Sequence, residues 1–292
     1  MLIDSHSHIG MGEFDNDRDR VMERAREAGV VAIIDIGIDL ASSEAAIDFA
    51  DKYDDVFATV GIHPHDASRV TDSMIDRLEK LAKHPGVVAI GEIGLDFYRN
   101  RSLKEAQVES FKRQLDLASK LGLPVVIHSR NAKDEVFEIL SEYVMKHRRF
   151  AVSSIPLSPP LAKGDTGRMP LSGEGETGDR PVGVLHCFSG DVEIGAKYID
   201  MGFLVSFAGP VTYPKSSAAS VARELPLDRM LVETDCPFLT PQVYRGKRNE
   251  PSYVSHVAAK IAEVKGVTVD AVMRATSSNA IRLFRLPIES ER

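Results

Sequence analysis

The sequence predicts an α/β fold, a single (β/α)8 TIM barrel, because short β-rich runs alternate with longer helical patterns. The runs are almost continuously apolar, which is typical of parallel strands covered by helices. Eight such units favour a closed barrel. An open, doubly wound sheet is the alternative, but no glycine-rich phosphate loop follows the first run. The runs are Leu2–Ser5, Val31–Ile36, Val56–Gly61, Val87–Gly91, Val125–His128, Val182–His186, Phe203–Phe207 and Met230–Glu233.

The stretches between these runs have the spacing of amphipathic helices. Apolar residues three and four positions apart lie on one helix face, which then packs on the sheet. Two clear examples are Val108, Phe111, Leu115 and Ala118 in one stretch, and Val254, Val257, Ile261 and Val264 in another.

Residues 150–181 interrupt this rhythm. They contain five Gly and five Pro and show no apolar periodicity, so they cannot bury much surface. We expect a flexible insertion between the fifth helix and the sixth strand. Without it the chain approaches the roughly 250 residues of a plain barrel, so we expect one domain over residues 1–292.

Composition limits the classes of function. Hydrophobic residues make up 43% and charged residues 27%, which is enough apolar material for one core. The net charge of −7 means that any contact with nucleic acid must be local. No run is long enough to cross a bilayer, and no signal peptide is evident. Because only Cys187 and Cys236 are present, we expect a protein of the reducing cytoplasm. We also expect no membrane attachment and no obligate protein partner.

Histidines concentrate where the predicted strands end. Of the nine, only three fall in helical or helix-flanking positions. Strand ends meet at one face of a barrel, where catalytic groups gather. His6 and His8 are two residues apart, so strand alternation puts both on one face, where they could share a cation. The six at strand ends are His6, His8, His63, His65, His128 and His186.

Carboxylates occur at the same end of the predicted barrel. Glu92 ends the fourth strand between two glycines, and Asp235 ends the eighth. A carboxylate buried in a barrel mouth needs a cation or a hydrogen-bonded partner. With the imidazoles these oxygens suit Zn²⁺, Mn²⁺, Ni²⁺ or similar ions, with Mg²⁺ as a further option. Glu233 could orient a ligand histidine, and Asp96 could do the same or cap a helix.

Other polar residues after the strands are expected to contact substrate. His63 and His65 flank a proline and could bind metal, but substrate contact is the favoured interpretation. Basic residues around a metal mouth point to a phosphate-bearing substrate, because arginine offers a planar fork to phosphate. These basic residues are Arg99, Arg130, Arg245, Lys247 and Arg248.

Several ordered motifs resemble the TatD family of metal-dependent hydrolases. The motifs are Asp4-Ser-His-Ser-His8, Gly61-Ile-His-Pro-His65, Gly91-Glu-Ile-Gly-Leu-Asp96, Pro124-Val-Val-Ile-His-Ser-Arg130, His186-Cys-Phe-Ser-Gly190, Glu233-Thr-Asp-Cys-Pro237, Arg245-Gly-Lys-Arg-Asn-Glu-Pro251 and Asn279-Ala-Ile-Arg-Leu-Phe284. The resemblance covers nearly the whole chain except the insertion. Ile9-Gly10 departs from the family's usual Leu-Asp, beyond the ligands.

The resemblance implies two divalent cations. One would bind His6, His8, Glu92 and Asp235, and the other Glu92, His128 and His186, with Glu92 bridging them. It also implies phosphodiester hydrolysis of DNA from the 3′ end by a metal-activated water, with Asp235 and Glu92 as catalytic residues. The rival hypothesis is an amidohydrolase or esterase, such as a D-aminoacyl-tRNA deacylase. A catalytically silent binding scaffold is disfavoured by the complete ligand set.

Overall fold

The structure is a computed structural model that describes residues 1–147 and 180–288. Its strands form one eight-stranded sheet, in which each strand lies beside the next along the chain. All seven neighbouring pairs are parallel. This is the (β/α)8 barrel that the sequence predicts. The strands are β1 (Leu2–Ser7), β2 (Val30–Ile36), β3 (Val56–Val60), β4 (Val87–Asp96), β5 (Val125–Arg130), β6 (Gly183–Leu185), β7 (Phe203–Phe207) and β8 (Met230–Val232).

Helices connect the strands and pack around the outside of the sheet. Two of them follow β8, and the second packs on both β1 and β8. Within the described ranges, no helix is long and apolar enough to span a membrane. The helices are α1 (Arg18–Glu27), α2 (Leu40–Lys52), α3 (Asp72–Leu81), α4 (Lys104–Leu121), α5 (Lys133–His147), α6 (Val192–Asp200), α7 (Ala218–Glu224), α8 (Val254–Lys265) and α9 (Val269–Phe284).

Alternate strand residues face two separate apolar clusters. In β5, Val125 and Ile127 join the cluster that contains the helix side chains, whereas Val126 joins a second cluster. The second cluster lies inside the barrel and also contains Leu283 and Phe284, at the end of α9. The period of two in a strand produces this separation, because successive side chains point to opposite faces.

Strands β1 and β4 depart from this regular alternation next to the residues predicted to bind metal. In β1, Ile3 faces the interior, and regular alternation would next place Ser5 and Ser7 there. The register with β2 shifts between Asp4 and Ser7. In β4 the register shifts between residues 90 and 93. Such irregularities re-aim side chains next to active sites, and here they bring His6, His8 and Glu92 to the interior.

The barrel closes between β1 and the segment that follows β8. The Asp235 N–H donates to the His6 carbonyl over 2.8 Å, and the His8 N–H donates to the Cys236 carbonyl over 2.8 Å. Ser7 and Cys236 form the parallel bridge between the two segments. The backbone that forms this closing seam therefore also carries the side chains of His6, His8 and Asp235.

The strand boundaries differ from the sequence prediction in a way that matters for the site. β4 was expected to end at Gly91 but runs to Asp96, so Glu92 lies within an irregular strand rather than after it. Helix α5 ends at His147 and β6 begins at Gly183. The insertion predicted at residues 150–181 falls between them, but residues 148–179 lie outside the described residues.

Replacing residues 150–179 by a short Gly-Ser linker should leave folding and hydrolysis intact. The segment joins the end of an outer helix to the start of a strand, which is the barrel face opposite the strand ends. Loop closure costs grow only logarithmically with length, so stability should change by less than about 1 kcal/mol. Melting temperature, metal content and hydrolysis rate would be compared with the full chain. Normal folding and metal content with lost hydrolysis would show that the segment contributes to the site.

Candidate metal centre

Six side chains that the sequence predicts as metal ligands come together at the carboxyl ends of the strands. Glu92 lies at their centre. Its Oε1 atom is 2.7 Å from His128 Nδ1 and 2.9 Å from His186 Nε2, and its Oε2 atom is 3.5 Å from His6 Nε2. We call these six candidate ligands the metal-ligand cluster, which consists of His6, His8, Glu92, His128, His186 and Asp235.

Asp235 completes the cluster from the closing seam. Its Oδ1 atom is 3.6 Å from His6 Nε2 and 3.4 Å from His8 Nε2. Asp235 has a φ of +56°, a left-handed backbone conformation that costs a non-glycine residue about 1–3 kcal/mol. The hydrogen bond from its N–H to the His6 carbonyl helps to hold this conformation. The seam thus aims the Asp235 carboxylate at both histidines.

Close backbone packing positions Glu92. Its N–H donates to the Gly37 carbonyl over 2.8 Å, and the preceding Gly91 carbonyl accepts the Thr59 hydroxyl over 2.6 Å. A Cβ atom on Gly61 would lie 2.7 Å from the Gly91 carbonyl carbon. Only glycine allows the β3 end to approach β4 this closely. The glycines in this region therefore make room for the irregular backbone that carries Glu92.

The histidines keep the Glu92 carboxylate ionised. Burial alone would raise its pKa, but the neighbouring His186 and the hydrogen-bonding His128 hold the pKa well below its usual value. Burial lowers the pKa of His63 to about 3 and also lowers that of His6. Those two imidazoles are therefore neutral near pH 7, and a neutral imidazole has a lone pair for a cation.

The donor atoms of the cluster fit divalent cations. The Nδ1 and Nε2 atoms of His6 are buried and lack a hydrogen-bond partner among the described residues, and Nε2 faces the carboxylates of Glu92 and Asp235. Unpaired buried nitrogens of this kind are costly unless an unseen partner binds them. The structure contains three groups of potential ligands, and within each group the ligand atoms all lie within 4.8 Å of one another. The groups are His6–His8–Asp235, His6–Glu92–His186 and His63–Glu92–His128.

Outer carboxylates orient the histidines of the cluster, as the sequence suggests for Glu233 and Asp96. Glu233 Oε1 is 3.4 Å from His186 Nδ1 and accepts the Cys187 N–H over 2.6 Å. Asp96 Oδ2 is 3.4 Å from His128 Nε2. Both imidazole contacts are attractive but poorly aligned for a hydrogen bond, since these nitrogens remain unpaired. Ligand histidines are commonly positioned by carboxylates in this way.

Asp4 begins the first of the sequence motifs, but the sequence pattern predicts no role for it. The structure shows that its carboxylate accepts the Thr234 N–H over 2.8 Å and the Thr234 hydroxyl over 2.5 Å. Burial raises the pKa of Asp4 to about 8. Asp4 thereby ties β1 to the residue that precedes Asp235. An acidic residue directly after the two apolar residues that begin the first strand was the signal available in the sequence.

The two histidines expected to contact substrate lie against the cluster. His63 Nε2 is 3.6 Å from Glu92 Oε1, which places it in one of the three ligand groups. His65 Nε2 is 2.9 Å from Asp96 Oδ2. His63 is therefore as well placed to bind a cation as to contact substrate, and His65 is held by the same carboxylate that faces His128.

The arginines expected to bind phosphate differ in their surroundings. Arg248 donates two hydrogen bonds to Asp17, of 2.8 and 2.7 Å, and its guanidinium lies 4.4 Å from the centre of the Phe14 ring. Its donors are thus occupied, and a substrate role stays a prediction. In the two described ranges, no carboxylate oxygen lies within 4.0 Å of the side-chain nitrogens of Arg99, Arg130 or Arg245.

In this (β/α)8 barrel, buried carboxylates and imidazoles at the strand ends belong to several groups of potential metal ligands. This is the architecture of a metal-dependent hydrolase. The chain belongs to the TatD family of these enzymes, because the family model described as TatD related DNase matches residues 3–285. Members act on ester bonds, and the chain is accordingly a hydrolytic enzyme.

Individual relatives support this membership. The chain is 38% identical to the uncharacterized metal-dependent hydrolase YabD of Bacillus subtilis, over 98% of this chain and 100% of that protein. It is 34% identical to the 3′-5′ ssDNA/RNA exonuclease TatD of Pantoea ananatis, over 98% and 100% of the two chains. The crystal structure of YJJV, a TatD homologue of Escherichia coli K12, has a TM-score of 0.82 and 27% identity, with 98% of each chain covered.

Divalent metal should raise the melting temperature of chelator-treated protein through the cluster. An ion that binds only the folded state stabilises it by about 2.7 kcal/mol at 100 times its dissociation constant. His128→Ala and Glu92→Gln should reduce both the shift and the metal content per chain. His84→Ala is the matched control, because His84 lies outside the cluster and faces Asp51. An equal shift in all variants would place the ion elsewhere.

Arg248 and Arg245 should respond differently to alanine. Arg248→Ala should lower the free energy of unfolding by about 0.5–1 kcal/mol, because a partly exposed ion pair with Asp17 is lost. Asp17→Asn should have a similar effect, and the double variant should add little. Arg245→Ala should leave stability unchanged but weaken oligonucleotide binding and its salt dependence. Denaturant titrations measure the free energy of unfolding, and salt titrations measure oligonucleotide binding. If Arg248→Ala weakens binding but leaves stability unchanged, Arg248 has the substrate role instead.

Proposed function

We propose that this enzyme is a two-metal exonuclease that removes nucleotides from the 3′ end of DNA. The observation that carries the proposal is that Glu92 belongs to two ligand groups, one with His6 and His186 and one with His63 and His128. A carboxylate has two oxygens and can bridge two cations, which is the arrangement of many phosphodiester hydrolases. The mixed nitrogen and oxygen donors suit Zn²⁺, Mn²⁺ or Ni²⁺, with Mg²⁺ as a further option.

Bound divalent cations supply Lewis acidity, a nucleophilic water near neutral pH and charge stabilisation of the attacking and leaving oxygens. Asp235 reaches the mouth best among the cluster's carboxylates, with 13% of its side chain exposed against 5% for Glu92. Burial raises the pKa of Asp235, but the hydrogen-bonding His8 and the nearby His186 outweigh burial and keep the pKa below its usual value. Asp235 is therefore ionised and takes the proton of the attacking water. The water oxygen joins phosphorus and the P–O3′ bond breaks, so that the released nucleotide carries a 5′-phosphate. The proton taken up by Asp235 passes to the leaving O3′, and the shortened strand ends in a 3′-hydroxyl.

Charge at the mouth supports a nucleic acid substrate. Arg99, Arg130 and Arg245 lack carboxylate partners among the described residues, so their charge is available to phosphate. The net charge of −7 restricts such contacts to the mouth. The exonuclease named among the relatives acts on ssDNA and RNA. The proposed compartment is the reducing cytoplasm, where the free thiols of Cys187 and Cys236 would persist.

Metal-reconstituted enzyme should shorten a single-stranded DNA from its 3′ end. A 5′-labelled strand should give a ladder of decreasing length, whereas a 3′-labelled strand should release labelled mononucleotide first. Glu92→Gln should abolish both, since a lost metal site removes several orders of magnitude of rate. A parallel assay would use D-aminoacyl-tRNA, whose ester the same ligands could serve. Deacylation of that tRNA without shortening of DNA would replace the exonuclease proposal by a deacylase.

A further inference from the structure

An exposed aromatic side chain lies beside the metal-ligand cluster. Tyr98 follows β4 directly and leaves 58% of its surface exposed. Among the described residues, Tyr98 and Phe238 are the only aromatic side chains in the set of exposed large hydrophobic residues. Phe238 lies after β8, with its ring centre 6.2 Å from that of His8. Both exposed aromatics therefore belong to loops at the barrel mouth.

Two arginines accompany Tyr98. The Arg130 guanidinium carbon lies 4.1 Å from the centre of the Tyr98 ring, and that of Arg99 lies 6.0 Å away. The first distance is that of a close cation–π contact. Arg130 covers the ring on one side, while the large exposed fraction of Tyr98 leaves ring surface open to solvent. Within the described part of the chain, neither guanidinium has a carboxylate partner.

Asp96 fixes this group of residues relative to the metal-ligand cluster. Its Oδ1 atom accepts the backbone N–H groups of Tyr98 over 3.0 Å and of Arg99 over 2.7 Å. Its Oδ2 atom faces His65 Nε2 at 2.9 Å and His128 Nε2 at 3.4 Å. One buried carboxylate therefore positions a cluster histidine and also the backbone that carries the exposed ring.

We propose that Tyr98, Arg99 and Arg130 form a stacking platform that binds an unpaired base of single-stranded nucleic acid next to the metals. The proposal rests on the proposed nuclease function and specifies its substrate. A base can stack on the open surface of the ring, and the guanidiniums can hold the adjacent phosphate. A base within a duplex is already stacked on both sides and cannot use the platform without being unstacked. The platform therefore selects single strands or frayed ends.

The test measures binding separately from hydrolysis. Chelator-treated protein is titrated, by fluorescence anisotropy, with a labelled deoxythymidine oligonucleotide, with an abasic strand of the same length and with a blunt duplex. The wild-type protein should bind the base-containing strand most tightly. Tyr98→Ala should weaken that binding about 10-fold, in line with the loss of one base–aromatic stack, and leave the abasic strand unaffected. Tyr98→Phe should bind like the wild type.

Tyr53→Ala is the matched control. Tyr53 also carries a cation near its ring, with Lys52 Nζ 4.5 Å from the ring centre, but it follows α2 and precedes β3, at the other end of the barrel. This variant should bind all three ligands like the wild type. Melting temperature and metal content of every variant show whether the fold and the cluster are preserved.

Hydrolysis of the abasic strand, a phosphodiester without any aromatic group, separates the platform from the proposed function. Tyr98→Ala should retain wild-type turnover of this diester while its KM for the oligonucleotide rises. Equal binding by Tyr98→Ala and wild type, or an equal loss for base-containing and abasic strands, would overturn the platform. Wild-type protein that binds the base-containing strand but hydrolyses neither substrate with metal would overturn the nuclease function alone.

Discussion

The buried carboxylate of Glu92, at the centre of the barrel mouth, determines how the rest of the site is arranged. Glu92 contacts four imidazoles within 3.6 Å, from His6, His63, His128 and His186. Burying an uncompensated charge costs several kcal/mol, so this position requires hydrogen-bonding or cationic partners. The irregular β4 backbone, the nearby glycines and the convergence of the histidines all serve to place and compensate this one group.

The second layer of carboxylates links the chemistry to the scaffold. Asp4, Asp96 and Glu233 each contact a residue of the cluster or its immediate neighbour, and each also accepts a backbone N–H. A side chain that holds both a backbone segment and an imidazole converts local chain geometry into ligand orientation. Such support matters because displacements of about 1 Å in a catalytic group can cost a hundredfold in rate.

Features that depend on local patterns could be predicted from the sequence, whereas features that depend on distant contacts could not. Apolar runs and helical spacing give the barrel and its strand order, and polar residues after those runs give the six members of the cluster. The register shifts in β1 and β4 cannot be recognised from the alternation of apolar and polar residues along the sequence. The pairing of Arg248 with Asp17 joins positions 231 residues apart, so the sequence pattern could not show that this basic loop residue has an acidic partner.

The seam that closes the barrel has a consequence for the order in which the enzyme is made. His6 and His8 are translated with the first strand, but Asp235 and its neighbour Cys236 follow the last strand of the barrel. A nascent chain that stops before β8 therefore lacks both the final carboxylate and the backbone partners of the first strand. The histidines of the first strand therefore stay without this closing partner until β8 and the segment after it have been translated, so chains released before that point would lack the Asp235 carboxylate.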